Sequence, residues 1–524
     1  MRLRARWVLL TLVSTITAIL GGTALATPSS PTDEIRSLLD LAEEKREDDR
    51  EQALELASQA LRLSQEHGST PQQAETLLLL GKIRRDRSEL EQARKELQRA
   101  CDLFSTLDDI RGYAACLQEL GLVYEGLGDR QSAFAAYSQA LPLLRQLDDP
   151  QGLIRTLNNL GVIRRKEYEY EAALEYHRQA LEVAEAIGDD KARALLLNNM
   201  GRCYQGLDDS EKARSSHESA LRISSASSDR DGMAQALTNL GHLHSLRGEV
   251  QPALECYQQA LETWREIGHS KGIALSLGNL GNVYIDLDKY DKAEECMLEA
   301  LGVFEELEDE RNIASTLDNL GNIYDSMGRY AEALEHHHKA LAVRERLGDK
   351  KPIANSYNNL GVTYDDMGQY ERALEYYIKA FTLREEIGDT EGVATSLGNI
   401  GIIYKLLKDY DKAQECYEKA FAIHERIGDR VGMVRMLGNM GNVAHELGRE
   451  ELSIEYHTRS LELAQEIGSQ HFVAVSLSNI GVVLEVQGEL EKALDYYSRA
   501  YEIHSQINDR HGRAICLSSM GNIH

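Results

Sequence analysis

Between Val393 and Arg430 the apolar positions describe two amphipathic helices separated by a short polar break. Leu397, Ile400, Gly401 and Tyr404 fall at i, i+3, i+4 and i+7, one face of a helix. Lys408-Asp409 interrupts the pattern, and the corresponding pairs Gly328-Arg329, Gly368-Gln369 and Gly448-Arg449 put a helix-stopping glycine there. A second helix then carries Ala413, Tyr417, Ala420 and Phe421 at i, i+4, i+7 and i+8, and Gly428-Asp429 closes the unit. The spacing predicts a helical hairpin with short connections.

The hairpin recurs without insertion at a period of 40 residues. Its clearest rung is a glycine: Gly81, Gly121, Gly161, Gly201, Gly241, Gly281, Gly321, Gly361, Gly401, Gly441, Gly481 and Gly521. A fixed period of this size marks stacked units sharing one continuous core. That overrides the three or four globular domains that 524 residues would otherwise predict. A glycine inside a helix costs about 1 kcal/mol against alanine, so twelve of them need a packing reason, and close approach of the two helices supplies it. An alanine column accompanies them (Ala93, Ala133, Ala173, Ala213, Ala253, Ala293, Ala333, Ala373, Ala413 and Ala493, with Ser453 in one repeat).

These columns resemble the tetratricopeptide repeat, whose first helix carries an L-G-x2-Y element and whose second carries spaced alanines. Here that element reads Leu120-Gly121-x2-Tyr124, Leu280-Gly281-x2-Tyr284, Leu320-Gly321-x2-Tyr324 and Leu360-Gly361-x2-Tyr364. Leu277, Leu317 and Leu397 stand where the family pattern has tryptophan. The period exceeds the family's 34 residues, as in the repeats of the Pins/LGN and kinesin-light-chain proteins and of exported bacterial sensor arrays. The resemblance implies an all-α fold, a right-handed superhelical solenoid of stacked helix-turn-helix repeats whose first helices line a concave groove. It implies a non-enzymatic scaffold for protein partners, the alternative being the input region of a longer signalling enzyme, a histidine kinase or nucleotide cyclase.

The ends depart from the pattern. Arg2, Arg4 and Arg6 precede an uncharged run, then Gly21-Gly22 and Ala24-Leu25-Ala26. This reads as a secretory signal over residues 1–26; an uncleaved anchor is the alternative, since about 20 apolar residues span a bilayer. A short linker (27–32), a degenerate capping repeat (33–73) and eleven full repeats (74–513) follow. Residues 514–524 match the first half of a further repeat, from which continuation of the chain past His524 is expected. The expected location is exported, periplasmic or extracellular, in a bacterial envelope.

Charge narrows the partner. A formal net charge of −27 disfavours nucleic acid, which is bound by Lys and Arg displacing counterions. It equally disfavours anionic lipid, so no membrane partner is expected unless residues 1–26 stay as an anchor or the chain continues. The seven cysteines recur at repeat positions far apart in the chain (Cys256, Cys296 and Cys416 each fifteen after a rung). They read as free thiols behaving as small hydrophobes.

Catalytic patterns are absent: no Walker loop, H-E-x-x-H, G-x-S-x-G or EF-hand occurs. No cofactor or metal is expected. His336-His337-His338 cannot converge on one ion, because consecutive helical residues point about 100° apart. His337 shares a column with His177, His217, His457, Tyr257, Tyr377 and Tyr417, which reads as a packed ring.

One polar column stands out, two residues before the rung: Asn159, Asn199, Asn239, Asn279, Asn319, Asn359, Asn399, Asn439 and Asn479. At 100° per residue it points away from the hairpin's own core, and the resemblance places it in the groove. An amide offers donors and an acceptor together, which suits the backbone of an extended peptide. An inter-repeat ladder of asparagines, or recent duplication without a role, would give the same column. Nearby, Arg85, Arg165 and Lys166 make the early repeats basic, while Asp286, Asp318, Asp325, Asp365 and Asp366 make the middle acidic. An acidic lining favours a ligand with Lys or Arg; a solvated helix face would look the same. Asn282, Asn322, Asn442 and Asn522 sit where carboxylate-clamp members of the family hold a peptide C-terminus, without the basic residues of such a clamp beside them.

Overall fold

The computed structural model describes residues 30–523, so the segment read as an export signal lies outside the described residues. Within them are twenty-five helices and no strand. First and second helices alternate, as in Thr390–Leu406 and Tyr410–Ile427, seventeen and eighteen residues long. At 1.5 Å per residue each is about 26 Å in length. None of the described helices is long and apolar enough to cross a membrane.

The polar breaks fold as their residues dictate. Between helices one residue adopts a left-handed conformation: Gly328, Gly368 and Gly448 have φ of 73°, 70° and 68°. Lys408 takes the same conformation, at φ 60°, where its repeat lacks the glycine. At several connections an aspartate next in the chain caps the following helix; Asp409 accepts from the Lys412 amide and Asp429 from that of Gly432 at 2.9 Å. Such a cap stabilises a helix by about 1 kcal/mol. The first described helix, Pro31–Lys45, starts the same way, with Ser30 accepting from Asp33 N.

The rung glycines have a more specific role than close approach of two backbones. Each from Gly81 to Gly481 receives the side chain sixteen residues later on the second helix. A Cβ at Gly401 would stand 2.6 Å from Cε1 of Tyr417, and one at Gly441 2.5 Å from Cε1 of His457. Met297 fills the same place on Gly281. Thus His177, His217, His337 and His457 are core rings, all at most 1 % exposed. The alanine column is fully buried beside them. Ser453 is tolerated there because its Oγ donates to Gly441 O at 2.8 Å.

The hairpins pack into two units, one running to Thr263 and the other starting at Trp264. Each is a solenoid of stacked hairpins with a core continuous from one to the next. In the first unit Leu97, Phe104, Leu117, Leu120 and Leu144 belong to one apolar cluster. In the second Leu397, Tyr417, Met436, Leu437 and Val443 do. First helices of adjoining repeats also touch one another, as do Arg430–Glu446 and Gln470–Val486, and so form an inner row. All seven cysteines are free; Cys101, Cys116, Cys203 and Cys516 are buried and the other three half-buried.

Candidate functional site

In the second unit, the successive first helices Thr390–Leu406, Arg430–Glu446 and Gln470–Val486 enclose a cavity of about 340 Å³. Its walls are apolar, from Ile402, Val434, Met436, Phe472 and Val475. Three members of the asparagine column, Asn399, Asn439 and Asn479, line it, with Asn442, Thr395 and Arg435. Ser460 and Ser476 lie deeper, their Oγ atoms 3.0 Å apart.

The column does not look straight out from the helices. Its members sit at the seam between adjoining first helices, half-buried throughout except for Asn199, which is buried. The reason is that a first helix packs on its neighbouring first helix as well as on its own partner. At two steps the amides form an inter-repeat bond. Asn199 Nδ2 donates to Asn158 Oδ1 at 2.8 Å, and Asn399 Nδ2 to Asn358 Oδ1 at 3.0 Å.

Whether an asparagine is engaged follows from the residue three before the preceding rung. Asn158 and Asn358 occupy that place and accept. Elsewhere the occupant is committed to something else: Gln118 donates to Gly152 O and Thr156 Oγ1, Asn198 faces His217 Nδ1 at 3.0 Å, and Thr238 donates to Ala234 O. In three repeats it is a glycine, Gly278, Gly398 or Gly438. The next asparagine along, Asn319, Asn439 or Asn479, then has no hydrogen-bond partner among the described residues.

The aspartates separate into two groups. Asp318 does not line a groove: it is 5 % exposed, its Oδ1 lies 2.9 Å from His337 Nδ1, and its Oδ2 pairs with the Arg344 guanidinium. Arg344 donates further to Ser356 Oγ at 2.7 Å. The largely buried Arg344 guanidinium is thus compensated by a buried carboxylate, that of Asp318. Asp325, Asp365 and Asp366 do come together on the inner row. Burial and the neighbouring Asp366 push Asp325 up to about 6, and the same two causes raise Asp365. Asp286 is exposed at the end of Ser270–Asp286. In the first unit Arg85 is neutralised by Glu119 and Asp86, and Lys166 lies 3.6 Å from Glu125. Arg165 has no ion pair among the described residues, because Asn199 takes the repeat position that Glu119 fills for Arg85.

The three adjacent histidines diverge. His337 lies on Gly321, His336 Nδ1 is 2.8 Å from Glu332 O, and His338 packs edge-on towards Tyr376. The described residues hold no group of three or more His, Cys, Asp or Glu side chains arranged for a metal ion.

A profile of the tetratricopeptide repeat family matches the chain in eleven overlapping stretches, from 72–146 to 472–524. No curated protein matches it. Among solved structures the chain is similar to the crystal structure of BtubC (BKLC) from P. vanneervenii, at 26% identity and a TM-score of 0.39, covering 42% of this chain and 92% of that one. The apo form of RapI is similar at 20% identity and 0.44, covering 52% and 98%. A Rap protein complexed with competence and sporulation factor is similar at 17% identity and 0.45, covering 68% and 98%.

Proposed function

The chain belongs to the tetratricopeptide repeat family, and from that premise we propose that it is a non-enzymatic scaffold holding an extended peptide of a protein partner on its inner row of first helices. One observation carries the reading. The amides of Asn439 and Asn479 lie half-buried on a cavity of about 340 Å³ with no hydrogen-bond partner among the described residues. Their amide groups are open to the cavity, and a peptide backbone offers the donor and acceptor that pair with them. The carboxylates of Asp325, Asp365 and Asp366 on the same unit's inner row favour Lys or Arg elsewhere in that peptide. The basic, apolar and small-residue segments of residues 1–26 support placing this binding outside the cytoplasm. Capture of partner from the native envelope fraction, by wild type and by Asn439→Ala/Asn479→Ala, tests the reading: capture is lost in the variant while helicity and melting stay. Equal capture by both proteins rejects it.

A further inference from the structure

We infer that Gly398 and Gly438 form a specificity notch that seats one large apolar side chain of the bound peptide, with an acidic group of the same peptide against Arg435. The inference rests on the peptide-binding reading above and adds to it the chemistry of the peptide.

The two glycines lack the purpose that explains the rungs. A mid-helix glycine is destabilising relative to alanine, and the rungs from Gly81 to Gly481 offset this by receiving a side chain from the second helix. No residue lies within 4 Å of a Cβ placed on Gly438, and only Met436 comes near one on Gly398, its Cε at 3.4 Å. Nothing inside the chain needs these positions empty. Other repeats fill them, with Asn158, Asn198, Asp318, Asn358 and Ser478.

Two successive vacancies do three things at once. They open the cavity between the first helices, whose 340 Å³ falls in the range of about 300–1,000 Å³ typical of pockets that take ligand groups. They expose apolar walls from Ile402, Met436 and Phe472, which match a Leu, Met or Phe side chain. They also remove the acceptor that would otherwise pin the following asparagine, leaving Asn439 and Asn479 to hold main chain on either side of that residue. Charge supplies the second half of the specificity. Arg435 lines the cavity and has no ion-pair or hydrogen-bond partner among the described residues, in a chain with 85 acidic residues against 58 basic. A guanidinium beside a cavity recognises a carboxylate.

The test is an immobilised array of dodecapeptides on a Ser/Thr/Asn background, with one central position set to Leu, Met, Phe, Ala or Ser and its neighbours to Glu, Gln or Lys. It is probed with wild type, Gly438→Leu, Arg435→Gln and Gly278→Leu, all checked for unchanged helicity. Wild type is expected to retain large apolar central residues about tenfold better than Ser, and more with Glu adjacent. Gly438→Leu fills the notch and loses the apolar preference, Arg435→Gln loses the Glu preference, and Gly278→Leu, in the same column but outside the cavity, keeps both. If wild type binds the array without an apolar preference, or Gly438→Leu retains it, the notch is refuted while peptide binding stands. If wild type binds no peptide, both readings fall.

Discussion

Asn399 donates its amide to Asn358 Oδ1 at 3.0 Å, whereas Asn439, one repeat on, faces Gly398 and has no hydrogen-bond partner among the described residues. The same residue in the same register is therefore structural in one repeat and available in the next. Removing the acceptor by Asn358→Ala should destabilise the second unit by about 1 kcal/mol, the usual worth of such a bond. Asn439→Ala should stay within about 0.5 kcal/mol of wild type. Chemical denaturation of the two variants compares them, and an equal loss in both would show that Asn439 is pinned as well.

The rung and its ring form a second pair whose energetics can be separated. A Cβ at Gly441 would collide with the His457 imidazole, while one at Gly438 meets nothing. Gly441→Ala should cost about 1–3 kcal/mol through overpacking. Gly438→Ala should gain up to about 1 kcal/mol of helix propensity. Combining Gly441→Ala with His457→Ala should recover part of the first loss, a favourable coupling that a double-mutant cycle measures. Strict additivity would mean that the ring does not rest on the glycine.

Among charges, burial decides which matter. Arg344 and Asp318 are paired inside the second unit, with side chains 11% and 7% exposed. Arg344→Met leaves that carboxylate uncompensated and should cost about 3–5 kcal/mol. The pair Arg265–Glu299 is similarly bonded but half exposed, and Arg265→Met should change stability by less than about 1 kcal/mol. Thermal melts in low and high salt discriminate the two, since only the exposed pair is screened.

Acid should weaken the fold through its core histidines. Burial pushes His177, His217 and His457 down to about 4, assisted by Arg165 beside His177, Arg202 and His242 beside His217, and His445 beside His457. The unfolded chain takes up those protons near 6.5, before the folded chain does. Stability is thus fully present above pH 6.5 and falls as the pH drops towards 4, by up to about 3 kcal/mol per histidine. Asp325 runs the other way: its raised pKa means the folded state gains a proton between about 6 and 4, which relieves its repulsion with Asp366. His457→Tyr, which borrows the ring of the neighbouring repeats, should flatten the acid limb, and Asp366→Asn should raise stability at pH 7. Melting temperatures across pH 4.5 to 7.5, on the order of this titration range, check both; an unchanged slope in His457→Tyr would contradict the burial account.

Much of this organisation is legible in the sequence because a rigid period converts chain position into spatial position. The spacing of Leu397, Gly401 and Tyr417 predicts the hairpin, and the histidine–tyrosine column predicts packed rings. Asp318 misleads for a physical reason: it shares a stripe with Asp325, but its arginine lies on the second helix, and only packing brings Arg344 across. The asparagine column misleads more subtly. Its register is plain, yet its availability depends on the residue 41 positions before the asparagine, Gly398 for Asn439 and Asn358 for Asn399, a relation visible only once adjoining first helices are seen to touch. The run of glycines at 278, 398 and 438 was the available signal.

The most direct test of the central claim is equilibrium binding of the dodecapeptide array to wild type and to Asn439→Ala/Asn479→Ala, with melting temperature recorded on the same samples. The double variant is expected to lose at least about tenfold in affinity, the worth of one or two hydrogen bonds, while melting as wild type does. Undiminished binding, or a collapse of melting alongside the loss, would contradict it, because the two amides would then be either irrelevant to the peptide or part of the fold.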